Sequence, residues 1–153
     1  MIRFLNFIFL FFVTGISAQI QMGPLFSDDM ILQRESQVPI WGLASPNEKV
    51  TVLSSWNNKT TSTTADNDGN WNVKMETPQA GGPYQLNISS SNSVLNYSNV
   101  LIGEVWIASG QSNMQMALFG GGKEPVLGSI DMIAQSKNSS IRLFTVKLSS
   151  SET

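Results

Sequence analysis

Between positions 25 and 100, seven short runs of β-branched, aromatic or threonine residues recur about every ten residues, separated by clusters of Gly, Pro, Asn, Asp and Ser. That spacing is the pattern of an antiparallel β-sandwich. The expected strands cover 30–32, 38–41, 50–53, 60–64, 71–75, 84–88 and 94–97. Thr51, Thr61 and Thr63 alternate with other residues, as half-exposed strands require. Asp66-Asn67-Asp68-Gly69-Asn70 is the clearest turn, and its Asp-Gly step between two strand-like runs predicts a hairpin, because glycine accepts the positive φ such turns demand. A calcium loop is the functional rival for those aspartates and asparagines, but the spacing lacks the longer ligand ladder and distant glutamate of an EF-hand. Ala80-Gly81-Gly82-Pro83 predicts a second turn, with Pro83 opening a strand where no ladder donor is lost.

Trp41 and Trp71 fall inside strand-like runs and are read as core residues. Trp56 stands beside Asn57 and Asn58 in a loop, where it either folds back onto the sheets or stacks on a sugar face. Folding back is the simpler reading, since large aromatics are usually well buried. Asn-x-Ser/Thr sequons occur at Asn58, Asn87, Asn96 and Asn138, which would be glycan acceptors in a eukaryotic secretory pathway.

The first 18 residues read as an export signal. Arg3 supplies a positive start, 4–13 is apolar apart from Asn6, and Gly15-Ile16-Ser17-Ala18 is a small-residue cleavage site. The apolar run is about half the ~20 residues that a spanning helix needs, so a cleaved signal is expected rather than an anchor. This makes the location secreted or periplasmic. Without Arg3 the remaining chain has 8 bases against 11 acids, a net charge of −3. No basic stripe remains, which argues against nucleic acid or an anionic membrane as partner. Cysteine is absent, so stability rests on ordinary cores rather than disulfides.

Residues 103–116, Gly-Glu-Val-Trp-Ile-Ala-Ser-Gly-Gln-Ser-Asn-Met-Gln-Met, bring an apolar run, a small-residue turn and a serine together. The run at 104–108 predicts a short buried strand. Gly110 makes a sharp turn affordable, and 113–118 then predicts the first turns of a helix. Ser112 would sit at the carboxyl end of a strand and at a helix N-terminus, where backbone N–H groups favour developing negative charge. An acyl-transfer nucleophile needs that setting. A plain helix N-cap uses serine in the same place, so position alone leaves both readings open.

Beyond it, Phe119-Gly120-Gly121-Gly122-Lys123 reads as a loop, and Glu124 in place of Ser or Thr rules out a phosphate-cradling motif. Residues 125–137 predict a helix with Val126, Ile130, Met132 and Ile133 roughly on one face. Met114 and Met116 are read as core packing. Residues 141–146 predict another buried strand. Strand, helix, strand is the opening of a doubly wound α/β domain, whose ligands bind beyond the carboxyl ends of the strands.

The 103–116 string closely resembles the first signature block of the sialate O-acetylesterase family, a branch of the SGNH/GDSL hydrolases. The match extends through Pro24-Leu25-Phe26-Ser27-Asp28-Asp29-Met30-Ile31-Leu32-Gln33-Arg34, Val38-Pro39-Ile40-Trp41-Gly42, Asp68-Gly69-Asn70-Trp71 and Gly81-Gly82-Pro83-Tyr84, which resemble the family's amino-terminal β-domain in the family's order. The resemblance implies a signal peptide at 1–18, a β-sandwich domain at 19–100, and at 101–153 the start of an SGNH, flavodoxin-like α/β hydrolase domain, truncated here. It implies Ser112 as catalytic nucleophile, with Gln111 and Asn113 shaping the turn and binding the ester. The substrate would be an acetylated carbohydrate, with no cofactor and no metal. The family takes its base from a histidine held by an aspartate, and this sequence contains no histidine. A front portion inactive by itself is therefore expected. The competing class is a non-enzymatic, carbohydrate-binding or adhesive β-sandwich, and a related ester such as acetylated xylan is a third possibility.

Overall fold

The computed structural model describes residues 19–119 and 126–146. The expected signal at 1–18 and the glycines at 120–122 lie outside the described residues. Among the described residues there are eight strands: β1 (Gln21–Met22), β2 (Ile31–Gln33), β3 (Gln37–Leu43), β4 (Lys49–Ser54), β5 (Thr60–Thr64), β6 (Asn70–Glu76), β7 (Gly81–Ser89) and β8 (Val94–Gly103). They form a three-stranded sheet in the order β1-β3-β6 and a five-stranded sheet in the order β2-β8-β7-β4-β5. Among the described residues helix is confined to α1 (Ser112–Gln115) and α2 (Ser129–Gln135). All seven expected strands form: β5 keeps its expected bounds, β2 is shifted by one residue, and the other five run beyond the apolar runs, β7 and β8 furthest. The two-residue β1 carries too little pattern to be read.

Alternation decides which side chains meet. In β3, Val38 and Ile40 point inward, and in β6 so do Trp71, Val73 and Met75. The register sets Ile40 against Val73 and Val38 against Met75, so apolar meets apolar on one face while Trp41 faces Asn72 on the other. In the larger sheet, Val50 and Val52 of β4, Leu86 and Ile88 of β7, and Val100 and Ile102 of β8 turn inward in the same way. Side chains of both sheets belong to one buried cluster, with Ile40, Val50, Val52, Leu86, Ile88 and Val100 fully enclosed. Pro39 is tolerated in β3 because β1 pairs only with Gly42 and Leu43, leaving that flank of β3 an open edge.

Two connections differ from expectation. The 66–70 turn is real: Asp66 Oδ1 accepts bonds from the backbone N–H groups of Asp68 at 2.9 Å and Asn70 at 2.8 Å, and Gly69 takes φ 82°. It makes no hairpin, since β5 belongs to the five-stranded sheet and β6 to the three-stranded one. The turn hands the chain between sheets, because the inward residues of β6 pair with those of β3 rather than with the threonines of β5. The pairing of β2 with β8 is parallel, against the antiparallel expectation. Gly81-Gly82-Pro83 is absorbed into the irregular start of β7, where the pairing with β8 shifts register.

Trp56 does fold back, edge-on to Tyr84 at 6.0 Å, with its Nε1 donating to the Glu76 carbonyl at 3.0 Å. Trp71 is core, at 3% exposure, but Trp41 is not: it lies on the outward face of β3 and stays 40% exposed.

Glu48 is buried between the sheet and the 90–91 turn. Its carboxylate accepts bonds from the Ser91 hydroxyl at 2.9 Å and the Ser45 backbone N–H at 3.1 Å. The hydroxyls of Ser90 and Ser91 hold its pKa down at about 2, against an ordinary 4.5. A depressed carboxylate contributes stability above the unfolded value and loses it as pH falls toward the folded one. The stability gap between wild type and Glu48→Gln is therefore expected to be constant above pH 4.5 and to shrink steadily toward pH 2. Urea midpoints across that window measure it, and a gap independent of pH would refute the assignment.

The second half departs most from the sequence reading. Residues 104–108 and 141–146 form no strand, and α2 covers 129–135 rather than the full 125–137. An apolar run becomes a strand only when another strand shares its ladder and a covering layer takes its side chains. Among the described residues nothing does either: Trp106 is 86% exposed and Ile107 92%. Ile130, Met132 and Ile133 on α2 are exposed, and so are Met114 and Met116, which are therefore not core.

Candidate active site

The site is built outward from the end of β8. Gln33 and Arg34, where β2 stops, clamp the chain as it leaves the sheet. Arg34 donates its backbone N–H to the Gly103 carbonyl at 2.9 Å, and its Nε to Glu104 at 2.6 Å. Gln33 uses both ends of its amide, donating Nε2 to Glu104 at 3.1 Å and accepting the Val105 N–H at 2.9 Å. The Gln33 amide, followed by the Arg34 guanidinium, holds the Glu104 carboxyl below its ordinary range. The pair is half-exposed and screened by solvent, so it orients the chain more than it stabilises it.

The same motif braces the neighbouring turn. Asp28 accepts from the Ser98 N–H at 2.7 Å and its hydroxyl at 2.9 Å, and Asp29 accepts from the Asn99 amide at 2.6 Å. Arg142 reaches back to the carbonyls of Met30 and Asn99. Two stretches 70 residues apart, 28–34 and 98–105, thus lock together. Sequence reasoning matched both as strings but assigned neither this bracing role; the Gln33-Arg34 and Glu104 charge complement was its one legible sign.

Past Val105 the chain runs without ladder partners to the turn at 109–111. Gly110 does not adopt a left-handed conformation. A Cβ there would stand 2.6 Å from Met114 Cγ, a clash that this exposed and flexible side chain can relieve by turning away. Gln111 is the extended N-cap residue of α1, with φ −88° and ψ −159° and no side-chain cap. Ser112 is the first helical residue, so it is not the cap, and it is exposed. Asn113 follows it in the same turn. Gln111, Ser112 and Asn113 are thus consecutive at the start of α1. With four residues, α1 offers little of the aligned dipole that a longer helix would supply. Among the described residues no histidine, cysteine, aspartate or glutamate cluster capable of holding a metal occurs.

The chain resembles proteins that remove acetyl groups from sugars. A solved carbohydrate acetylesterase from Xanthomonas citri superposes with a TM-score of 0.61 at 36% identity, covering 65% of this chain and 23% of that one. The described fold is thus similar to part of a carbohydrate acetylesterase. Sequence narrows it further. The mouse sialate O-acetylesterase is 31% identical over 132 residues, which is 80% of this chain and 24% of that protein. The human sialate O-acetylesterase is 36% identical over 102 residues, 60% of this chain and 19% of that protein. Over most of its length the chain is similar to sialate O-acetylesterases, and it spans about a quarter of the length of the relatives it matches. No family model matches it.

Proposed function

We propose that this chain carries the nucleophile and the β-rich platform of a serine-dependent carbohydrate O-acetyl esterase, exported by its first 18 residues. The observation that carries the reading is Ser112, exposed at the start of α1 within the Ser-Gly-Gln-Ser-Asn-Met string, in a chain whose relatives are sialate O-acetylesterases. In this scheme the two sheets form a β-sandwich over 19–100, and 101–153 opens the SGNH hydrolase domain.

Ser112 Oγ attacks the acetyl carbonyl carbon, the carbonyl electrons move to oxygen, and collapse of the tetrahedral adduct expels the sugar hydroxyl. Water then cleaves the acetyl-serine ester and releases acetate. The Ser112 N–H supplies one oxyanion donor, and Gln111 and Asn113 hold the ester against the turn. A serine alcohol is a weak nucleophile at neutral pH and needs a base to take its proton. With no histidine among the 153 residues, that base is contributed from outside them.

The 153-residue chain is accordingly expected to hydrolyse 4-nitrophenyl acetate no faster than its Ser112→Ala variant. Serine-dependent turnover by the chain alone would overturn this division of the machinery.

A further inference from the structure

We infer that the outer face of the three-stranded sheet is a binding site for a neutral sugar ring, with the Trp41 indole as its stacking platform. A cleft of about 320 Å³ opens there, lined by Trp41, Gly42, Asp66, Asn70, Trp71 and Asn72. Its two sides differ in chemistry. Trp41 and Leu43 of β3 give an apolar strip, 40% and 45% exposed, and the register sets Asn72 and Asn70 of β6 directly opposite them. Side chains at paired positions on one face are neighbours, so an apolar strip runs beside a row of amides. A pyranose has the same division, with an apolar C–H face and a rim of hydroxyl donors and acceptors. A mostly apolar surface with a few convergent polar groups is the general form of a small-ligand site.

Trp41 is held in place. Phe26 packs edge-on against it at 5.7 Å with an interplanar angle of 80°, and Gly23 lies so close beneath the ring that a Cβ would overlap it. A fixed platform loses little freedom when a ligand stacks on it. No lysine or arginine lines the cleft, and Asp66 does, which favours an uncharged sugar over one bearing a carboxylate. The site is separate from Ser112 and requires no hydrolysis.

Isothermal titration of the full chain with cellohexaose, xylohexaose, mannohexaose and, as the charged comparison, 3′-sialyllactose tests this. At least one neutral hexasaccharide is expected to bind with a submillimolar to millimolar Kd. Trp41→Ala should weaken that binding roughly tenfold, the scale of a lost aromatic contact, and Asn72→Ala several-fold. Trp41→Tyr should keep part of it. Should circular dichroism show Trp41→Ala unfolded, Asn72→Ala and Trp41→Tyr carry the test. The inference is overturned if no neutral hexasaccharide binds at millimolar concentration, if Asn72→Ala leaves binding unchanged, or if 3′-sialyllactose binds more tightly than every neutral sugar.

Discussion

In a form of the protein that supplies a histidine base beside it, Ser112→Ala lowers kcat by roughly 10⁴-fold or more. The size follows from how such groups act. Removing the nucleophile from an assembled serine machinery removes the benefit of the base as well, leaving only binding and oxyanion stabilisation. Gln111→Ala and Asn113→Ala move no proton in this scheme, so each should cost far less, on the order of the 10²- to 10³-fold that a single oxyanion donor supplies at most. The measurement is single-turnover release of acetate from an O-acetylated sugar, with a serine-directed fluorophosphonate as a second readout. Wild type should label and Ser112→Ala should not. A Ser112→Ala enzyme within tenfold of wild type would remove Ser112 from the chemistry, and the serine would then be an exposed helix residue with no catalytic part.

The two halves of this chain were unequally legible, and the reason is where their partners lie. In β6 every second residue is apolar, and β3 supplies Ile40 and Val38 to meet Val73 and Met75 within the described residues. Pattern located those contacts because both sides are local to the fold, but β3 is apolar on its other face too, which is why Trp41 was misplaced in the core. The run at 104–108 has as strong a strand pattern, yet Trp106 and Ile107 lie open to solvent. Hydrophobicity specifies that a segment will be covered but not by what, and its cover is absent among the described residues. The Asp66–Gly69 turn failed more subtly. Its local geometry was readable to the hydrogen bond, while the choice between hairpin and sheet-to-sheet crossing depended on β3 outcompeting β5 as partner for β6. For the candidate site, the string containing Ser112 was legible, and its anchorage was not. Gln33, Arg34 and Glu104 lie about 70 residues apart in sequence, and only the parallel pairing of β2 with β8 brings them together.

Leu86→Ala is expected to cost about 2–5 kcal/mol of folding stability, the range for emptying a well-packed site. Leu86 is fully enclosed on β7, the middle strand of the five-stranded sheet, and pairs across to Ser54 on β4 and Tyr97 on β8. With neighbours fixed by ladders on both sides, the surroundings have little freedom to collapse into the cavity. Against a total of ~5–15 kcal/mol for a typical domain, that loss removes a large share. Leu53 offers the internal comparison: it lies on the opposite face of β4 at 37% exposure, so Leu53→Ala should cost under ~1 kcal/mol. Urea unfolding followed by fluorescence in a background with Trp41, Trp56 and Trp106 replaced by Phe, so that Trp71 alone reports, measures both, and unchanged m-values would show that the same cooperative unit is being compared. If the two sheets close on a single core, a Leu86→Ala cavity in the larger sheet must also lower the midpoint reported by Trp71 in the smaller one. A Trp71 signal that keeps the wild-type midpoint would mean that the sheets unfold separately, and the shared core would have to be abandoned.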